Sequence, residues 1–145
     1  HWHVEKLNNI IFYNIDHSIR LYRMYAQKQL REHGFKITID QWLVIKCILE
    51  NPTITQHELS AMVFKDNASV TRIIDLLIKG KYLEKEINPE DRRKFILHVT
   101  KSGEAIIKNV QEIVLQNRSK ALKGIDAKDL ETADAVLRKI ITNCK

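Results

Sequence analysis

Residues 55–99 read TQHELSAMVFKDNASVTRIIDLLIKGKYLEKEINPEDRRKFILHV, and this stretch decides the fold. Thr55-Gln56-His57-Glu58 has the form of a capping box, in which a hydroxyl and a carboxylate satisfy each other's free backbone donors. It therefore opens a short helix running through Val63. Asp66 or Asn67 caps a second helix, where Val70, Ile73, Ile74 and Leu77 recur at steps of three and four and build one apolar face. That helix ends at Lys79-Gly80-Lys81. The period then drops to two: Leu83-Glu84-Lys85-Glu86-Ile87 alternates, and Phe95-Ile96-Leu97-His98-Val99 does so less cleanly. Between them lies the polar turn Asn88-Pro89-Glu90-Asp91-Arg92-Arg93-Lys94, so the pair reads as a β-hairpin with a longish loop.

Working outward, Leu7, Ile11, Ile15, Ile19, Tyr22, Ala26 and Leu30 form one stripe of a long amphipathic helix that ends near His33-Gly34. A second helix fits residues 40–50, with Trp42, Leu43, Ile45, Ile48 and Leu49, and Asn51-Pro52 stops it. After the hairpin, Thr100 caps a helix carrying Ile106, Ile107, Val110, Ile113 and Val114. Gly124-Ile125-Asp126 breaks it, and a last helix carries Leu130, Ala133, Val136, Leu137, Ile140 and Ile141. The expected order is α-α-α-α-β-β-α-α, mainly α with a small β-hairpin wing, in a single domain over residues 1–145 without repeats or linkers.

The bulk numbers agree with one folded domain. A chain of 145 residues buries a core without staples, and 29% charged against 44% apolar residues is a globular rather than a disordered mixture. The net charge of +6 favours a polyanionic partner, nucleic acid first. Cys47 and Cys144 form no CxxC pair, which excludes a disulfide framework and fits a reducing cytoplasm. No apolar run approaches the roughly 18 residues of a membrane span. His1-Trp2-His3 lacks the order of a signal peptide; it reads as an amino-terminal copper or nickel chelate, or as a frayed or foreign end. His17, His33, His57 and His98 show no ligand spacing, so no metal site is expected. Without a nucleophile elbow, a phosphate loop, an HExxH or a carboxylate pair, no catalytic residue, enzyme activity or cofactor is expected either.

Two short helices separated by Phe64-Lys65-Asp66 match a helix-turn-helix, whose second helix enters the major groove N-terminus first. Its exposed residues are Asn67, Ser69, Thr71, Arg72, Asp75 and Lys79. Small hydroxyl and amide side chains let the backbone approach DNA, and Arg72 has the fork that reads guanine or clamps a phosphate. Gln56 adds a neutral phosphate donor at the start of the preceding helix. Taken alone, these residues fit the solvated face of an ordinary helix pair better than a DNA-reading one. The hairpin adds Arg92, Arg93 and Lys94, the densest basic cluster in the chain, on a narrow projection suited to a minor groove about 6 Å wide. Asp91 beside them reads as a partner that orients one guanidinium through a bidentate pair. A charged tip also fits plain solvation, but a tip that follows a helix-turn-helix reads better as a wing.

With these residues in place, residues 39–104 resemble the winged-helix core of MarR-type regulators. The matching pieces are Gln41-Trp42-Leu43-Val44-Ile45, Thr55-Gln56-His57-Glu58-Leu59, Ser69-Val70-Thr71-Arg72-Ile73-Ile74-Asp75, Gly80-Lys81-Tyr82-Leu83, Pro89-Glu90-Asp91-Arg92-Arg93 and Leu97-His98-Val99-Thr100-Lys101-Ser102-Gly103. Six pieces in order are specific where one is weak. The resemblance covers nearly the whole chain, because that family also has a long first helix and two C-terminal helices for dimerisation, here about 5–33 and 101–143. It implies a homodimer on a pseudo-palindromic double-stranded operator, acting as an effector-responsive repressor. It also implies that Arg93 is the wing arginine, held by Asp91, with Ser69, Thr71 and Arg72 on the DNA face. Leu76 stands where relatives often carry a basic or polar residue, and Phe64-Lys65 replaces a more usual Leu-Gly.

The stripes on the first, fifth and sixth helices exceed what a small winged domain covers, so a partner chain is implied through Leu7, Ile11, Val136, Leu137 and Ile140. The other reading has those helices packing only on each other. Tyr13, His17 and Trp42 are candidates for an effector pocket between the first two helices, as in the family, or are ordinary interface packing. Cys47 reads as inert packing and Cys144 as an exposed thiol. The rival function is a winged-helix module for protein contact or RNA. A basic wing tip opposes it, since protein-contact surfaces favour apolar patches.

Overall fold

Thr38, Thr55, Asp66 and Thr100 each start a helix in the same way, with a side-chain oxygen that accepts from the backbone N–H three residues on. The computed structural model describes residues 4–145, and the chelating reading of His1-Trp2-His3 lies outside the described residues. A 3₁₀ turn, Leu7–Asn9, leads into α1 (Ile11–Glu32), followed by α2 (Ile39–Glu50), α3 (Gln56–Met62) and α4 (Asn67–Lys79). β1 (Leu83–Ile87) and β2 (Phe95–Val99) follow, then α5 (Lys101–Ala121) and α6 (Ala127–Cys144). The order is the expected α-α-α-α-β-β-α-α.

Two boundaries differ from the expectation, and at a third the structure selects one of the two expected caps. Leu7 sits in the 3₁₀ turn and Ile10 is extended, so the apolar stripe starts before the helix does. Thr38 and Gln41 form a capping box that starts α2 one residue early. Asp66, not Asn67, caps α4: its Oδ1 accepts from Ser69 N at 2.8 Å.

The core gathers Val44 and Ile45 of α2, Leu59 of α3, Val70, Ile74 and Leu77 of α4, Leu83 of β1 and Val110 of α5, each essentially sealed from solvent. A charged cluster straps this core to the long first helix. Asp40 at the start of α2 pairs with Arg23 of α1, and its second oxygen lies 3.2 Å from Lys65 Nζ in the turn between α3 and α4. The hairpin pairs Leu83 with Val99 and Ile87 with Phe95 in an antiparallel ladder. Only Leu83 of β1 is buried, so the expected alternation fades as the strand leaves the core and becomes a free projection.

The hairpin's base is closed by Thr100, whose hydroxyl donates to Lys81 O at 2.7 Å and accepts from Gly103 N at 3.0 Å. A Cβ at Gly103 would lie 2.4 Å from Tyr82 O, so α5 meets the hairpin at a distance that only glycine permits. α6 buries none of its residues within the subunit, and Leu130, Val136, Leu137 and Ile141 stand exposed along it.

Candidate nucleic-acid interface

Helix α3 and helix α4 meet along a polar seam that the sequence did not announce. Gln56 Nε2 donates to Thr71 Oγ1 at 2.6 Å, and the Thr71 hydroxyl donates to Asn67 O at 2.9 Å. One turn on, the buried Ser60 hydroxyl lies 2.8 Å from Asn67 Oδ1 and 3.0 Å from Gln56 O, sharing its one proton between them. Ser69 turns back, its Oγ donating to Asp66 Oδ2 at 3.0 Å. Four of the expected DNA-facing residues, Gln56, Asn67, Ser69 and Thr71, thus build the helix-turn-helix as well as border its outer surface. Arg72 and Lys79 remain exposed and make no ion pair among the described residues.

The turn itself departs from the usual chemistry. Phe64 takes a left-handed conformation, φ 61°, with Lys65 N bonded to Ser60 O at 3.1 Å, and its ring is 90% exposed. A glycine would reach this conformation without strain. The resulting turn still delivers Asp66 to the start of α4.

The wing tip is held by short-range bonds. Asn88 N donates to Lys94 O and Lys94 N to Asp91 O, both at 3.0 Å, while Glu90 N donates to Asn88 Oδ1 at 2.9 Å. Asp91 Oδ1 accepts from Arg93 N at 3.0 Å and from Arg93 Nε at 3.2 Å. This corrects the expected bidentate fork: one carboxylate oxygen takes both bonds, and the guanidinium's terminal nitrogens make no bond among the described residues. The backbone bond, then the side-chain bond, from Arg93 and the nearby charge of Lys94 hold the Asp91 carboxyl below the usual carboxylate range. Arg92, Arg93 and Lys94 are all exposed. A cleft of about 360 Å³ separates the wing from the α2–α3 loop, with Ile54, Gln56, Arg93 and Phe95 on its walls.

The three candidate effector residues come from two helices, α1 and α2. The Tyr13 and His17 rings lie 5.9 Å apart on α1, whereas Trp42 packs against the core from α2, its Nε1 buried without a partner. α1 meets α2 where Arg23 pairs with Asp40, about 15 Å of helical rise from Tyr13. Of the candidate interface residues, Leu7, Ile11, Val136 and Leu137 are exposed and Ile140 is half-buried. Burial raises the Cys47 thiol, with Glu50 adding to the shift, while Cys144 is exposed. Among the described residues, no group of His, Cys, Asp and Glu could hold a metal ion, and no helix is long and apolar enough to cross a membrane.

A helix pair joined by a tight turn, its second helix outward and a basic hairpin beside it, defines a winged helix-turn-helix DNA-binding protein. The chain belongs to the MarR family of transcriptional regulators. The family model described as MarR family matches residues 37–95. The multiple antibiotic resistance protein MarR of Escherichia coli is 30% identical over 128 residues, 84% of this chain and 89% of that protein. A structure of Bordetella bronchiseptica BpsR, concerned with regulation of its DNA binding by 6-hydroxynicotinic acid, superposes with a TM-score of 0.84 at 18% identity. It covers 94% of this chain and 96% of that one. A mutant Escherichia coli MarR complexed with operator DNA superposes with a TM-score of 0.82 at 24% identity, covering 94% and 99%. The last two likenesses bear on the fold.

Proposed function

We propose that the chain is an effector-responsive repressor that binds a pseudo-palindromic operator as a homodimer, acting in the cytoplasm at the nucleoid and without enzymatic activity. The observation that carries this reading is the pairing of two exposed cationic elements: Arg72 on α4 and the Arg92-Arg93-Lys94 tip, whose central arginine is oriented by Asp91. One element suits the major groove and the other the adjoining minor groove. The site residues are Gln56, Asn67, Ser69, Thr71, Arg72, Lys79, Asp91, Arg92, Arg93 and Lys94. Gln56 keeps one amide proton free of Thr71 for a phosphate.

Dimerisation is supported by the apolar faces of α1 and α6, which stand exposed among the described residues of one subunit. Leu7, Ile11, Val136, Leu137 and Ile140 lie on or beside these faces. Release by a small molecule is supported by the regulation of BpsR, a similar fold, by 6-hydroxynicotinic acid. Footprinting the purified protein on the DNA upstream of its own gene tests the whole reading. A protected, two-fold symmetric stretch is expected, and no protection at micromolar protein would overturn it.

A further inference from the structure

Helix α4 buries Val70, Ile74 and Leu77, and at about 100° per residue the direction opposite them is occupied by Ala68, Arg72, Asp75, Leu76 and Lys79. Asn67 and Thr71 lean toward α3 and Ser69 toward Asp66, so this second stripe is the part of the helix whose side chains are left free to face a groove. It contains an unexpected charge. Asp75 is exposed, lies one turn from Arg72, and neither pairs with it nor accepts any side-chain hydrogen bond among the described residues.

We propose that Asp75 is a specificity-determining residue that accepts a hydrogen bond from a cytosine amino group in the major groove, beside a guanine read by Arg72. This rests on the DNA-binding reading above. A carboxylate on the leading face of a helix in a phosphate-walled groove is repelled, so its place there requires a donor on a base edge. The major groove offers two amino donors, cytosine N4 and adenine N6. Adenine sets the acceptor N7 next to its amino group, which repels a carboxylate; cytosine presents the amino group without one. Leu76, apolar and 50% exposed on the same stripe, offers no cation that would anchor this turn to phosphate instead. Asp75 therefore weakens binding to DNA in general and restores it at one base pair.

The experiment is selection from a randomised duplex pool by the full chain and by Asp75→Ala and Asp75→Asn, each checked for unchanged circular dichroism. Anisotropy titrations then cover the four base pairs at each enriched position. The wild type is expected to prefer cytosine about tenfold at one position per half-site. Asp75→Ala should flatten that preference to within about twofold and bind a scrambled duplex severalfold tighter, because a repelling charge is gone. Asp75→Asn should move the preference to adenine, whose N6 and N7 an amide bonds together. Enrichment by the wild type with identical base frequencies in both variants overturns the assignment alone. Failure of the wild type to enrich any sequence overturns the DNA-binding reading and this one with it.

Discussion

Asp91 holds Arg93 at two points with a single oxygen, the backbone N–H at 3.0 Å and Nε at 3.2 Å. The bond to the backbone shapes the wing tip, and the bond to Nε aims a guanidinium whose side chain is 90% exposed. An exposed side chain contributes little to the core, so Arg93→Ala should leave the melting temperature unchanged. Operator affinity should fall about ten- to a hundredfold, measured by anisotropy on a labelled duplex. Asp91→Ala should change affinity in the same direction by less, since it loosens the arginine without removing it. Equal affinities for the wild type and Arg93→Ala would exclude the wing from the groove.

The turn at Phe64 carries backbone strain that the ring does not offset, because the ring is 90% exposed. Phe64→Gly should raise the free energy of unfolding by about 1 kcal/mol, read from urea denaturation. A lower stability would mean that the ring makes contacts the free subunit does not show.

Leu137 lies 40% exposed on α6, a helix that buries nothing within its own subunit. Leu137→Asp would place an unpaired charge in the proposed interface. Sedimentation of the variant should give the monomer mass where the wild type gives the dimer, and operator binding should fall with it. A monomeric wild type at micromolar concentration would remove the interface.

Two helix caps titrate. Bonds from Thr55 hold Glu58 low, and bonds from Ser69 hold Asp66 low. A carboxyl lower in the folded chain stabilises it above the ordinary carboxylate range, and this contribution is lost as pH falls through the lowered value. Stability should therefore be level near neutrality and decline in acid. Asp66→Asn keeps a capping oxygen without the titration. Its urea midpoint should match wild type at neutral pH and fall less between about pH 5 and pH 3. Parallel acid profiles would place the loss elsewhere.

Salt separates DNA from a protein partner. If about three to five of Arg72, Lys79, Arg92, Arg93 and Lys94 act per subunit, a dimer neutralises roughly six to ten phosphates. Affinity should then fall with a log–log slope near −5 to −9, about a thousandfold between 50 and 200 mM. A slope shallower than about −2 would falsify docking through two wings and two helices.

Element order, the capping box at Thr55 and the wing's basic tip were all legible in the residues themselves, because caps, apolar periods and turn chemistry are decided within a few residues of chain. So was the exposure of Arg72, which follows from the phase of Val70, Ile74 and Leu77 on one helix. The family resemblance rested on six such local pieces in order, and the fold followed from them. Only the tertiary structure decided which polar residues of the helix-turn-helix hold it together. Gln56 and Thr71 are 15 residues apart, and their bond exists only because α3 and α4 cross at that point. The same holds for Arg23, Asp40 and Lys65, which come from α1, α2 and a turn. A periodic pattern sets which way each helix faces, but not which partners two packed helices bring within hydrogen-bond reach, since that depends on their crossing angle and separation.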